Sequence, residues 1–131
     1  MTNRVTLPAG RYLIGDLCYQ GEIWEEICGR DHGVTEDGRH FACMFTKWGD
    51  GEYPDQDGRG FMVDSGTIGV IQYDGPSTSD SMGRSYVFPE PFEVYSEDGL
   101  LVFGEVRIQT GPLEEGRDWG MEWYDTSMEL E

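Results

Sequence analysis

Basic residues are scarce in this chain. Its 131 residues include 9 Lys+Arg against 26 Asp+Glu, a formal net charge of −17. Proteins that grip nucleic acid neutralise phosphates with a basic footprint, so the composition argues against direct nucleic-acid binding. An anionic membrane surface repels such a chain for the same reason. Cysteine is scarce too. Cys18, Cys28 and Cys43 make an odd count with no Cys-x-x-Cys pair, unlike the even framework of a small secreted disulfide scaffold. No apolar run approaches a membrane span, and residues 1–5 carry no apolar signal stretch. The expectation is a cytoplasmic protein of a reducing compartment. The sequence also lacks a Walker pattern, His-Glu-x-x-His, Gly-x-Ser-x-Gly and a dinucleotide fingerprint.

Glycine and aromatics, by contrast, are plentiful: 19 Gly, 4 Trp, 7 Tyr and 6 Phe. Aromatics at this density support a core, and one domain of this length is large enough to bury one. The glycines fall between short apolar runs, as turn-makers do in β proteins. Strands are expected at residues 4–7, 12–15, 41–46, 61–63, 67–73 and 86–88. A hairpin is expected from 92–95 and 100–108 around Glu97-Asp-Gly99. Residues 30–38, 49–60 and 74–85 read as loops or turns. One helix is expected near residues 21–28, where Ile23, Trp24 and Ile27 share a face opposite Glu22, Glu25 and Glu26. The fold class is mainly β (α+β): a curled antiparallel sheet or small barrel with that helix packed on it. Residues 1–112 form the domain. Residues 113–131 form an acidic tail holding Trp119, Trp123 and Tyr124; it either docks back, the expected outcome, or serves as an interaction motif.

Three constellations are candidates for chemistry. Residues 15–19, Gly-Asp-Leu-Cys-Tyr, place Cys18 before a helix, where a thiol can become nucleophilic. His32 and His40 are the only histidines to serve it, and the alternative is a buried Cys acting as a small hydrophobe. Residues 49–58 gather Asp50, Glu52, Asp55 and Asp57 in a Gly-rich turn, a candidate for calcium; turn carboxylates also simply accept from backbone N–H groups. Residues 61–67, Phe-Met-Val-Asp-Ser-Gly-Thr, resemble the catalytic turn of pepsin-like and retroviral aspartic proteases, and residues 101–104 resemble that family's later apolar-Gly segment. The resemblance implies Asp64 as a catalytic carboxylate in a homodimer. The alternative is a strand bend in which Asp64 caps local amides.

Taken in order, residues 12–19, Trp24, residues 49–53 (Gly-Asp-Gly-Glu-Tyr) and residues 63–69 (Val-Asp-Ser-Gly-Thr-Ile-Gly) resemble a family of small uncharacterised bacterial and phage proteins. Its first motif commonly reads Gly-Asp-Pro-Cys-Tyr, with Leu17 standing here in place of Pro. The resemblance covers roughly the first half of the chain. It supports one β-rich domain, implies no assigned activity, and suggests a host-directed binding role.

The leading reading is a non-enzymatic binding protein. It holds a small ligand near Asp16, Cys18, Tyr19, Asp64 and Ser65, or covers a host protein. A nucleotide-like ligand needs Arg11, Arg39, Arg59 and Arg84 to cluster. Two alternatives stand beside it: an acidic nucleic-acid mimic that inhibits a basic enzyme, and an aspartic-protease-like homodimeric hydrolase using Asp64, or Cys18 as nucleophile. No cofactor is expected beyond the calcium candidate.

Overall fold

The short apolar runs become strands, and they assemble into two open antiparallel sheets. The computed structural model describes residues 4–111; the tail at 113–131 lies outside the described residues. The first sheet has four strands in the order β1 (Val5–Leu7), β10 (Phe92–Glu97), β11 (Leu100–Phe103), β12 (Val106–Gln109). The second has six, in the order β3 (His32–Val34), β4 (His40–Phe45), β7 (Thr67–Gln72), β2 (Gly10–Gly15), β9 (Gly83–Phe88), β8 (Ser79–Asp80). A separate hairpin pairs β5 (Gly51–Pro54) with β6 (Gly60–Val63). The sheets are not closed into a barrel.

Alternation along the strands builds the layers. Tyr12 and Ile14 of β2, Ala42 of β4 and Ile68 and Val70 of β7 face Phe92 and Val94 of β10, Leu101 and Phe103 of β11, and Ile108 of β12 in one core. The ring of Tyr12 stands edge-on to Phe88 and Phe92, with centroids 5.8 and 4.9 Å away, and so joins the sheets. The hairpin closes one side of this sandwich: Tyr53, Phe61 and Val63 point into the same core. Asp55 bridges to Ile108 of β12, and Met62 N–H donates to Ser81 O at 3.0 Å.

The opposite face of the second sheet is covered by a 3-10 turn (Leu17–Gln20) and α1 (Glu22–Ile27). Leu17 and Ile27 pack on Leu13, Phe41 and Ile71, with Ile23 and Trp24 at the margin. Gly69 permits this approach. A Cβ there would stand 2.8 Å from both Leu17 Cδ1 and Cys43 Sγ and 2.9 Å from the Ala42 carbonyl. Both faces of β2 are therefore buried, which is why residues 12–14 read as an unbroken apolar run.

Several expected boundaries move. Residues 30–38 hold the edge strand β3, with the turn to β4 after it. Residues 49–60 are largely the β5–β6 hairpin, and β9 begins at Gly83, inside the expected loop. The expected strand over 100–108 is two strands, β11 and β12, turning at Gly104-Glu105, where Gly104 has φ 63°. A glycine with positive φ at the first central position is a favoured hairpin turn. The expected Asp98-Gly99 turn is present, with φ of 51° and 88° at its two residues.

Candidate functional site

The two sequence motifs around Asp16 and Asp64 meet in space. Asp16 follows β2 directly and is fully buried. Its Oδ2 accepts from the backbone N–H of Asp64 at 2.6 Å and of Ser65 at 2.7 Å. Its Oδ1 accepts from Cys18 N–H at 3.0 Å and from the Ser65 hydroxyl at 2.8 Å. Burial by itself pushes this carboxyl up, but the hydrogen bonds from Ser65, Cys18 and Asp64 outweigh it and hold Asp16 below the ordinary carboxylate value. Asp16 is therefore an anion whose oxygens are occupied. The 15–19 and 63–66 motifs are two halves of one clasp, tying the end of β2 to the β6–β7 turn.

Cys18 and Tyr19 lie at the same clasp, within the influence of Asp16, Asp64 and Asp50. Burial first, then hydrogen bonding to Asp16 and the charges of Asp16, Asp64 and Asp50, push the Cys18 thiol up to about 12. Desolvation and the same acids raise the Tyr19 phenol. Neither histidine hydrogen-bonds to Cys18: His32 is exposed on β3, and His40 opens β4, where its N–H donates to Gln72. A thiol held protonated, beside a carboxylate that disfavours its thiolate and with no histidine to take its proton, is a poor nucleophile. Burial also pushes Cys43 up to about 12, whereas Cys28 is exposed. Iodoacetamide at pH 7.5 should accordingly modify Cys28 first, with Cys18 and Cys43 at least tenfold slower by peptide mass spectrometry. Labelling of Cys18 ahead of Cys28 would restore it as a nucleophile.

The Asp-Ser-Gly-Thr turn gives its backbone donors to Asp16, while the Asp64 side chain is exposed. The buried carboxylate of this site is Asp16, which resembles a socketed structural anion more than half of a proton-sharing pair. Ser65 Oγ also lies 2.8 Å from Thr67 Oγ1 and accepts from Thr67 N–H at 3.2 Å, which fixes the turn internally.

The four acids of the 49–58 stretch do not converge. Asp50 lies toward the clasp, Glu52 is exposed on β5, and Asp57 is exposed in the turn. Asp55 is buried, and its Oδ1 accepts from Asp57 and Arg59 N–H, both at 2.9 Å. Among the described residues no three His, Cys, Asp or Glu side chains are placed to hold a metal. The four arginines do not form one basic pocket either. Arg11 lies over the Tyr73 ring and donates to Ser77, and Arg39 pairs with Asp37. Arg59 pairs with Asp55, and Arg84 is buried under the hairpin. The nucleotide reading loses its motivation with that separation.

Two features escape the sequence reading. One is a groove of about 510 Å³ between β1 and β10 of the first sheet and β4 of the second, lined by Val5, Met44, Phe45, Lys47, Val94 and Ser96. Phe45, on its rim, is 76% exposed. The other is the burial of Arg84 beside Tyr86. Their period-2 spacing with Phe88 is a signal that places all three on the inner face of β9. No family model, no curated protein and no solved structure matches the chain.

Proposed function

We propose that this is a non-enzymatic binding protein that covers a basic partner protein through the groove between its two sheets. The observation that supports the reading best is the exposed Phe45 ring on the rim of that groove. An aromatic anchor beside a groove that mixes apolar Val5, Met44 and Val94 with acidic Asp31 and Asp98 suits contact with a basic protein segment. The groove is broad and open at the surface, which suits a protein segment better than an enclosed small molecule. The net charge of −17 favours a basic partner and speeds its approach. The resemblance to small bacterial and phage proteins makes a host protein the natural candidate.

Photo-crosslinking tests this. p-Benzoylphenylalanine at position 45 should form one adduct with a basic protein in lysate, with a yield that falls as salt is added. The same group at position 87 should form none, because Val87 is also exposed but lies on β9 away from the groove. Equal adducts at both positions, or none at 45, would remove the groove as the binding surface.

A further inference from the structure

β4 is longer than the strand that flanks it. It runs for six residues, His40–Phe45, and the edge strand β3 for three, His32–Val34. The register sets His40 opposite Val34, Phe41 opposite Gly33 and Ala42 opposite His32. One more bond continues the ladder, from Cys43 N–H to Asp31 O at 2.7 Å. Beyond that point β3 has ended. On its other side β4 stays paired with β7 as far as Phe45, which stands opposite Thr67.

Backbone groups alternate in direction along an antiparallel strand. Cys43 N–H points toward β3, so the odd-numbered residues of β4 turn their N–H and carbonyl to that side. His40 and Thr46 fix the phase: their N–H groups point the other way, to the Gln72 side chain and to Gly66 O. The Cys43 carbonyl and both the N–H and the carbonyl of Phe45 therefore stand at an open edge, and no described residue hydrogen-bonds to them. That edge borders the inter-sheet groove. Cys43, Met44 and Phe45 line it, with Asp31 where β3 gives out and Asp98 from the β10–β11 turn. At the far end Lys47 N–H donates to Thr110 Oγ1 at 3.2 Å, which closes the open stretch after Phe45.

A bare strand edge is a template for another strand. We infer that the groove, taken as the binding surface proposed above and resting on that reading, accepts an extended basic segment of the partner as an added strand on the open edge of β4. The segment donates an N–H to the Phe45 carbonyl and accepts from the Phe45 N–H. Main-chain bonds of this kind supply affinity whatever the side chains, and pockets for alternate side chains supply specificity. Successive side chains of the added strand point to opposite faces. One set faces Val5, Met44 and Val94, and the other lies beside the exposed Phe45 ring. Asp31 and Asp98 outnumber Lys47 along the groove, so its charge favours Lys and Arg in the segment.

Isothermal titration of the full chain with the end-blocked peptide Lys-Val-Arg-Val-Lys at low salt tests this. One peptide should bind per chain, and hydrogen exchange at the Phe45 amide should slow about tenfold when it does. Phe45→Ala removes the ring and keeps the N–H, and should weaken binding about fivefold. Phe45→Pro removes both, and should weaken it about tenfold further. That N–H has no bond in the fold, and proline is accepted at an edge, so the variant should fold. If it does not, the peptide methylated at its backbone nitrogens gives the same reading on the wild type, with an expected loss of about tenfold. Phe45→Pro no weaker than Phe45→Ala, or a methylated peptide that binds as well as the plain one, would leave a groove read by side chains alone and overturn the added strand. Unchanged affinity in both variants would overturn the groove and the added strand together. No binding of the plain peptide would overturn the added strand, while the crosslink at position 45 still tests the groove by itself. A dimer that Phe45→Pro dissolves would assign the edge to a second copy of this chain and overturn it too.

Discussion

Replacing Asp16 with alanine should lower the unfolding free energy by about 4 kcal/mol, read as a shift in urea midpoint at constant m-value. The side chain is fully buried and accepts four hydrogen bonds, one from the neighbouring Cys18 N–H and three that link the end of β2 to a turn 48 and 49 residues away. Removing it orphans three backbone N–H groups at once and leaves the Ser65 hydroxyl with Thr67 alone. Asp16→Asn keeps the shape but turns an acceptor into a donor that faces donors, and should cost about 2–4 kcal/mol. Ser65→Ala deletes one partner only and should cost about 1–1.5 kcal/mol. The pH dependence has a definite sign. The folded-state pKa of Asp16 is depressed, so the stability it contributes is fully present above the ordinary carboxylate range. That stability is lost as pH falls through the lowered value. The gap between wild type and Asp16→Asn should therefore narrow under acid. A gap independent of pH would mean that Asp16 is not ionised in the folded protein.

Phe61→Ala should be comparably damaging, at about 3–5 kcal/mol. Phe61 is fully buried and carries the β5–β6 hairpin onto the sandwich core, with the Arg84 guanidinium stacked on its ring. Its loss leaves a cavity and strips the buried cation of its aromatic contact. Phe61→Leu retains most of the volume and should cost about 1–1.5 kcal/mol. Met62, the next residue, is 42% exposed on the opposite face, and Met62→Ala should change stability by less than about 0.5 kcal/mol. Equal costs at 61 and 62 would contradict the alternation that seats the hairpin on the core.

Much of this architecture is legible in the sequence, and the exceptions have physical causes. Residues 12–15 and 67–73 read as strands because the central sheet they enter is covered on both faces. The Asp98-Gly99 turn reads directly from its residue types, since positive φ at both positions suits that pair. The β5–β6 hairpin is hidden because Gly, Pro and acids crowd residues 49–60, and only Tyr53, Phe61 and Val63 mark an inward face. The 100–108 stretch reads as one strand because the turn at Gly104-Glu105 interrupts it without Asn, Asp or Pro.

The site residues show the same division. Sequence resemblance groups Asp16, Cys18, Tyr19, Asp64 and Ser65, and the structure brings them together. Their chemistry is not readable from residue types alone. Whether a carboxylate faces solvent or a ring of amides depends on the register between β2 and β7, which pairs Gly15 with Gly69. That register buries Asp16 and leaves Asp64 outside. Arg84 illustrates the converse: it falls in the stretch read as a loop, and only β9 with the hairpin laid over it makes it a buried cation.

Asp16 holds the fold while Asp64 stays outside it, and the proposed binding role needs no proton shared between them. A carboxyl-carbon NMR titration of the folded protein tests it most directly, with Asp16 and Asp64 assigned through Asp16→Asn and Asp64→Asn. Asp16 should stay ionised to below the usual carboxylate range, and Asp64→Asn should leave its titration almost unchanged. A carboxyl at 16 or 64 that holds its proton well above that range, and releases it when the other is replaced, would reveal a proton-sharing pair and contradict the account.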